Sequence, residues 1–311
     1  MSISLVTGGA GFIGSHLVEA LLAQGHQVRV LDDLSTGRLE NLSDVADRID
    51  FIEGSVQDVA VINRTMADVA LVFHLAAMVS VPKSMIEPLE AEFTNTVGAL
   101  NVLTAAKAAG VRRLVFSSTC AIYGDEPTLP KTEIMLPQPK SPYAISKLAA
   151  ENYCLLFNQA YNLETVVLRY FNIFGPRQDP SSPYSGVISI FVDKLAQGLV
   201  PTIFGDGEQT RDFVYVEDVV RANLLAAEIP EAAGEIFNIG TGHPVSLNRL
   251  FEHLRHIFNC NQKPNYAPAR AGDILQSYAA PTKAKRVLGW SAQVDFEAGL
   301  RRLAESYASK K

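Results

Sequence analysis

Three cysteines in 311 residues, Cys120, Cys154 and Cys260, are too few and too scattered for a disulfide framework or a thiolate metal site. Surplus positive charge is also missing. Lys and Arg total 27 against 33 Asp and Glu, a formal net charge of -6, which argues against a nonspecific nucleic-acid binder. No apolar run approaches the roughly 20 residues needed to cross a bilayer. The opening MSISLVTGG reads as a buried strand and its turn, with neither a basic nor a long apolar leader region, so no signal peptide is expected. The six histidines lack metal-ligand spacing; His16 and His74 read as helix or strand edge residues, and no metal is expected. These absences favour a cytoplasmic protein without membrane or nucleic-acid partners. Any anionic ligand must then be held by local arginines, backbone donors and helix ends.

What is present is a chain with 48% hydrophobic residues and a repeating pattern. Ile3 to Val6, Val28 to Leu31, Ile49 to Ile52, Val69 to Leu75 and Arg113 to Ser117 are short apolar runs separated by helical segments. ETVVLR at 164–169 adds another. Such runs predict a Rossmann-like, doubly wound parallel sheet of the α/β class, covered on both faces. Beyond Asn172 glycine and proline become frequent, and helical segments near 186–198, 217–228 and 246–258 follow. The expected division is 1–169, mainly dinucleotide-binding, and 170–311, mainly a smaller α/β substrate-binding domain. The two interleave, because EIFNIG (235–240) again reads as a strand entering a loop.

TGGAGFIGSH at 7–16 is the strongest motif. Gly9, Gly11 and Gly14 fit G-x-G-x-x-G, and Gly8, Gly11 and Gly14 fit G-x-x-G-x-x-G, directly between a strand and a helix. Glycines permit the tight turn and a close approach to a pyrophosphate, at which the helix start points its N–H groups. Phe12 and Ile13 belong to the same turn and are assigned to the cofactor site with it. Asp32 ends the second strand, 18 residues beyond Gly14 by sequence number, where a carboxylate bonds a ribose 2′-hydroxyl and repels a 2′-phosphate. Asp33 can exchange that role with it. Two carboxylates outweigh Arg38, so NAD is favoured over NADP. Asp58 is a candidate for the adenine edge, Ala76 and Ala77 for the pyrophosphate side, and Asn95 for holding the fourth-strand region through backbone hydrogen bonds. A purely structural role is the competing reading for these four.

Tyr143 and Lys147 lie four apart in SPYAISK and share one helix face, on a helix that Ser141 and Pro142 can begin. An ammonium near a phenol favours the phenolate, which predicts a lowered tyrosine pKa and a usable acid/base. FSSTCAIYG places the hydroxyls of Ser117, Ser118 and Thr119 at a strand's carboxyl edge. There they either bind ligand or cap the strand end.

Taken in order, TGGAGFIGSH, DDLSTG, HLAA, the SST segment, Y-x-x-x-K, RYFNIFGPRQ, FGDGEQTRDFVYVEDV, NIGTG and RAGD resemble the extended short-chain dehydrogenase/reductases along essentially the whole chain. The closest resemblance is to the UDP-glucose/UDP-N-acetylglucosamine 4-epimerase family. It implies NAD as cofactor, with Thr119 and Tyr143 catalytic, contacting substrate, and Lys147 as their cofactor-binding partner. It further implies that Asn172, Arg211 and Arg270 approach the substrate diphosphate, with Asp273 beside Arg270. Tyr123 is either a border of the nicotinamide and sugar or a packed aromatic. The related 4,6-dehydratases carry an Asp-Glu pair after the catalytic threonine; Cys120 and Ala121 stand here, and Cys120 reads as a buried small side chain.

In the same family the residue seven places after the arginine of R-x-G-D gates the sugar C2 substituent, a tyrosine restricting the pocket to plain hexoses. That residue is Ser277 here. The expected substrates are therefore UDP-GlcNAc and UDP-GalNAc, with UDP-glucose and UDP-galactose also admitted. Tyr278 would reverse this inference if the register moved by one. The alternative is another sugar-nucleotide oxidoreductase, such as a ketosugar reductase or an epimerase at a different carbon. The resemblance also implies a homodimer through helices including those near 98–110 and 143–160.

Overall fold

A computed structural model describes residues 3–180, 186–269 and 274–308. Its strands are β1 (Ile3–Thr7), β2 (Gln27–Asp32), β3 (Ile49–Glu53), β4 (Val69–His74), β5 (Arg113–Thr119), β6 (Glu164–Tyr170), β7 (Asn172–Phe174), β8 (Thr202–Phe204), β9 (Thr210–Tyr215), β10 (Ile236–Ile239), β11 (Pro244–Ser246), β12 (Asn265–Ala267) and β13 (Gln276–Ser277). Its α-helices are α1 (Phe12–Ala23), α2 (Val59–Thr65), α3 (Val81–Ile86), α4 (Pro88–Glu92), α5 (Gly98–Ala109), α6 (Pro142–Tyr161), α7 (Val187–Ala196), α8 (Val216–Glu228), α9 (Leu247–Ile257), α10 (Thr282–Leu288) and α11 (Phe296–Ala308).

Seven strands form one parallel sheet in the order β10-β6-β5-β4-β1-β2-β3. Successive residues of the inner strands feed opposite cores, while the edge strand β3 is only half-buried, with Asp50 and Glu53 exposed. Val6, Val30, Phe73, Val115 and Val166 pack with Leu17 and Leu21 of α1 and Val219 and Ala226 of α8. Their neighbours Leu5, Leu31, Val72, Leu114 and Val167 pack with Val102 and Leu103 of α5 and Cys154 and Phe157 of α6. This is the expected doubly wound arrangement, and it explains why the strands read as apolar runs rather than alternating ones. The order in which strands are added reverses between β1 and β4, the switch point where such sheets bind ligands at the strands' carboxyl ends.

Beyond β6 the chain serves both halves. α8 packs on α1, and β10 joins the main sheet beside β6, so residues within 170–311 complete the dinucleotide-binding layer. The rest forms a smaller unit in which β9 pairs with β7, β11 and β13. Its core is aromatic: Phe174 meets Phe213, Tyr215 and Phe296 edge-on, and Phe213 stacks on Phe296. Among the described residues no helix is long and apolar enough to cross a membrane.

Candidate active site

A cleft of about 920 Å3 opens at the carboxyl ends of β1, β2, β4 and β5. Its floor is the glycine turn. Gly8 has φ +71°, and a Cβ there would come within 2.7 Å of the Ala76 backbone nitrogen. A Cβ on Gly14 would overlap the Gly8 carbonyl oxygen. Only glycine lets the turn, the first turn of α1 and the loop after β4 approach this closely. α1 starts at Gly11 with no side-chain cap, so its first N–H groups open into the cleft, an arrangement suited to an anion.

Phe12, Ile13, Asp32, Asp33, Ala76 and Ala77 all line this cleft. Asp32 is buried; its Oδ2 accepts from the Ala10 N–H at 2.9 Å and its Oδ1 from the Leu34 N–H at 2.9 Å. Burial raises its pKa against those two backbone donors, and an ionised carboxylate keeps lone pairs for a ribose hydroxyl. The exposed Asp33 accepts from the Ser35 N–H and hydroxyl at 3.0 and 2.6 Å. Arg38, which would attract a 2′-phosphate, pairs instead with Asp179 at 2.6 Å.

Two other expected cofactor residues lie apart from that lining. Asp58 caps α2, its Oδ1 accepting from the Ala60 and Val61 N–H groups. Asn95 sits behind the cleft, where its Oδ1 accepts from the Met78 N–H at 2.8 Å and its Nδ2 donates to the Met78 carbonyl and Ser146 Oγ. It thereby ties the loop after β4 to α6. Sequence reasoning gave no role to Arg177 and Gln178, within the GPRQ segment. Both line the cleft, and Arg177 Nη1 and Gln178 Oε1 are buried with no hydrogen-bond partner among the described residues. A glycine cradle, an open helix start and orphaned polar atoms together fit a dinucleotide.

The catalytic candidates converge at the far end. Ser141 caps α6 through the Ala144 N–H at 3.2 Å, and Pro142 occupies its first turn. The Tyr143 N–H donates to Ser84 Oγ of α3 at 3.1 Å. Tyr143 and Lys147, both buried, face Thr119 at the end of β5. The Thr119 hydroxyl caps the strand end, accepting from the Ala121 N–H at 3.1 Å, and lies beside the Tyr143 phenol.

One electrostatic expectation is corrected. Burial pushes the Tyr143 phenol up to about 12, with the neighbouring Thr119 hydroxyl opposing it. Burial likewise takes the Lys147 ammonium down to about 8, against the opposing influence of Cys154 and Glu151. Its Nζ lies 4.4 Å from the centroid of the Phe116 ring. Loss of water from both groups therefore exceeds the attraction that was expected to favour the phenolate.

The substrate-side residues form a second group. Ser277 of β13 pairs in register with Arg211 of β9, and its hydroxyl lies near the half-buried Cys120 that follows Thr119. Arg211 Nη1 donates to the Thr210 and Ile274 carbonyls at 2.8 and 2.7 Å. Asn172 Nδ2 donates to the Asp212 carbonyl at 3.4 Å. Asp212, unremarked in the sequence, is fully buried and accepts from Thr241 N, Thr241 Oγ1, Gly242 N and Ala279 N. Arg270 and Asp273 lie outside the described residues. Tyr123 is a packed aromatic: its hydroxyl donates to Asn238 Oδ1 at 2.7 Å and accepts from Arg169 at 2.9 Å. Cys120 is half-buried rather than fully buried, and loss of water pushes its thiol up to about 12. Among the described residues no group of three or more His, Cys, Asp or Glu is placed to hold a metal.

A dinucleotide cleft at the switch point, closed by a Tyr-Lys pair and a threonine, defines an oxidoreductase-type sugar-nucleotide enzyme of the Rossmann class. The chain belongs to the NAD dependent epimerase/dehydratase family, whose model matches residues 4–240, within its UDP-sugar 4-epimerase branch, and its cofactor is NAD. It is 40% identical over 312 residues to a UDP-glucose 4-epimerase of Mycolicibacterium smegmatis, covering 99% of each chain. The structure of a Thermotoga maritima UDP-glucose 4-epimerase with UDP-glucose is similar at 44% identity and TM-score 0.95, covering 99% of both. A Methanobrevibacter ruminantium UDP-N-acetylglucosamine 4-epimerase, in complex with UDP-N-acetylmuramic acid, is 38% identical with TM-score 0.96, covering 100% of this chain and 99% of that one.

Proposed function

We propose that this enzyme interconverts UDP-GlcNAc and UDP-GalNAc, and UDP-glucose and UDP-galactose, by inverting C4. The observation that carries the chemistry is the convergence of Thr119, Tyr143 and Lys147 on one end of the cleft, with Lys147 one helical turn along α6 from Tyr143. NAD, when bound, supplies a hydride acceptor and donor. Tyr143, in the phenolate form that a bound nicotinamide cation and the Lys147 ammonium would favour against burial, takes the proton of the sugar 4-hydroxyl as C4 becomes a ketone, with Thr119 orienting the oxygen. The keto sugar turns about its diphosphate and presents its other face, and Tyr143 returns the proton. Asn172, Arg211, Arg270 and Asp273 hold the diphosphate and ribose meanwhile; arginine's planar donor fork suits phosphate oxygens. That remote binding energy retains the intermediate.

The breadth of the sugar site rests on Ser277. It adjoins Arg211 and Cys120, and Tyr278 lies just beyond the end of β13. Relatives named for glucose and for N-acetylglucosamine are both similar to this chain. Proton NMR of the anomeric signals tests the reading, with UDP-GlcNAc and UDP-glucose incubated separately and no reductant added. Appearance of the C4 epimer from both is expected. Conversion of UDP-glucose alone overturns the open gate, and no conversion of either overturns C4 epimerisation.

The same proposal includes a homodimer. Leu89, Phe93 and Val97 are 70%, 49% and 38% exposed and recur every fourth residue, one face of the helical run that ends α4. Met85, Ile86, Ile145 and Leu156 extend the apolar surface onto α3 and α6, which pack together. This stripe lies before α5 rather than along 98–110. A monomer in sedimentation at micromolar concentration overturns the dimer.

A further inference from the structure

One buried ion pair has no part in the chemistry above. Glu151 and Arg169 are 1% and 3% exposed. Arg169 is forked onto both Glu151 oxygens, Nη2 to Oε2 at 2.8 Å and Nε to Oε1 at 3.0 Å. The Ser118 hydroxyl donates a short hydrogen bond to the same carboxylate. On its far side Arg169 donates to the Tyr123 hydroxyl, which passes the chain on to Asn238 of β10. Each member adjoins a catalytic candidate. Glu151 is one turn beyond Lys147 on the buried face of α6, and Ser118 precedes Thr119 on β5.

We propose that Glu151, clamped by Arg169 and Ser118, is a positioning residue that registers the Tyr143–Lys147 face of α6 against Thr119 and keeps Lys147 in its cofactor-binding state. The inference rests on the roles given above to Tyr143 and Lys147. A buried pair is weak evidence for stability, because desolvation of both ions offsets their attraction, so its position calls for another account. A carboxylate one turn from a buried ammonium favours the charged amine, and the charged amine donates three hydrogen bonds. The other groups around Lys147 are Tyr143 and Cys154 on α6, Thr119 and the Phe116 ring on β5, and His74 on β4, with Arg169 of β6 beyond Glu151. His74 is buried and neutral, and burial raises both the Cys154 thiol and the Tyr143 phenol. Glu151 is thus the carboxylate that faces Lys147.

The experiment follows NAD dissociation from the loaded enzyme between pH 6.5 and 9.5, trapped by an NAD-consuming dehydrogenase, with the pH dependence of kcat beside it. Dissociation from the parent enzyme is expected to accelerate as Lys147 loses its proton. In Glu151→Gln that acceleration, and the alkaline fall of kcat, should begin about one pH unit lower. Glu151→Asp should restore the parent profile. A lower unfolding temperature with an unmoved pH profile makes the pair merely structural and overturns the proposal. If Glu151→Gln does not fold, the paired Glu151→Leu, Arg169→Met chain removes both charges together, and the same shift is required of it. Dissociation involves no sugar, so a shifted profile in an enzyme that leaves both UDP-sugars unchanged refutes the proposed function and not this inference.

Discussion

Replacement of Asp212 by asparagine should loosen the joint between the two halves of the molecule. The carboxylate accepts four hydrogen bonds from three places. Thr241 N and Oγ1 approach Oδ1 at 2.7 and 2.5 Å, while Gly242 N and Ala279 N approach Oδ2 at 2.9 and 3.0 Å. Gly242 and Thr241 follow β10 of the main sheet, and Ala279 follows β13 of the small one. An amide keeps one oxygen and turns its NH2 toward the other two donors. Two buried N–H groups are then unsatisfied, at about 1–3 kcal/mol each, for a loss of about 2–6 kcal/mol. Unfolding entropy of about 2.1 cal/mol/K per residue gives about 650 cal/mol/K for a chain of this length. A loss near 4 kcal/mol therefore lowers the unfolding temperature by about 6 °C. The donors hold the strands of Arg211 and Ser277, so KM for the UDP-sugar should rise about tenfold, an estimate from 1.4 kcal/mol of lost binding, while kcat stays within about threefold of the parent by the same scale. Differential scanning fluorimetry and initial-rate kinetics measure both. An unchanged unfolding temperature refutes the accounting, and a fall in kcat at constant KM refutes the role assigned to the joint.

Removing the hydroxyl in Tyr143→Phe should lower kcat by about 10²–10⁴, the usual contribution of a positioned acid/base, with UDP-sugar affinity by calorimetry nearly unchanged; equal losses in both would point to a binding role. Ser277→Tyr should cut kcat/KM for UDP-GlcNAc by about 10–200-fold relative to UDP-glucose, the range for a pocket's steric discrimination, and parallel losses for both sugars would contradict the gate. His74 supplies a pH test. Burial holds it at about 3 against 6.5 unfolded, so between these values the unfolded chain binds the extra proton. Stability should fall as pH falls through that window by up to about 1.4 kcal/mol per unit. Denaturant unfolding at pH 6.5 and 5 should show a loss of about 2 kcal/mol that His74→Asn abolishes; an equal loss in that variant would assign the acid sensitivity elsewhere.

Legibility in the sequence followed the range over which a residue's role is decided. The glycine turn, Asp32 and the Tyr143–Lys147 spacing are local: a strand, a turn and one helix face carry their meaning, and the cleft gathers them. The apolar runs of the main sheet were readable because both faces are covered, so each strand announces itself without help from its neighbours. The small unit gave no such signal. β7, β8, β11, β12 and β13 have two or three residues each, shorter than any hydrophobic period can mark. Their pairing with β8 or β9 defines them. Asp212 and Glu151 were missed for the same reason: their partners are 29 to 67 and 18 to 33 residues away, and a lone acidic residue looks solvated until those partners arrive. The expected phenol shift failed differently. Spacing fixed that Tyr143 and Lys147 share a face, but the sign of a pKa shift depends on how much water that face keeps. Here α6 presses both groups against β5 and the Phe116 ring, and burial outweighs their neighbourhood. A motif of this kind therefore specifies which groups meet, while the charge state in which they meet is set first by how far the surrounding fold buries them.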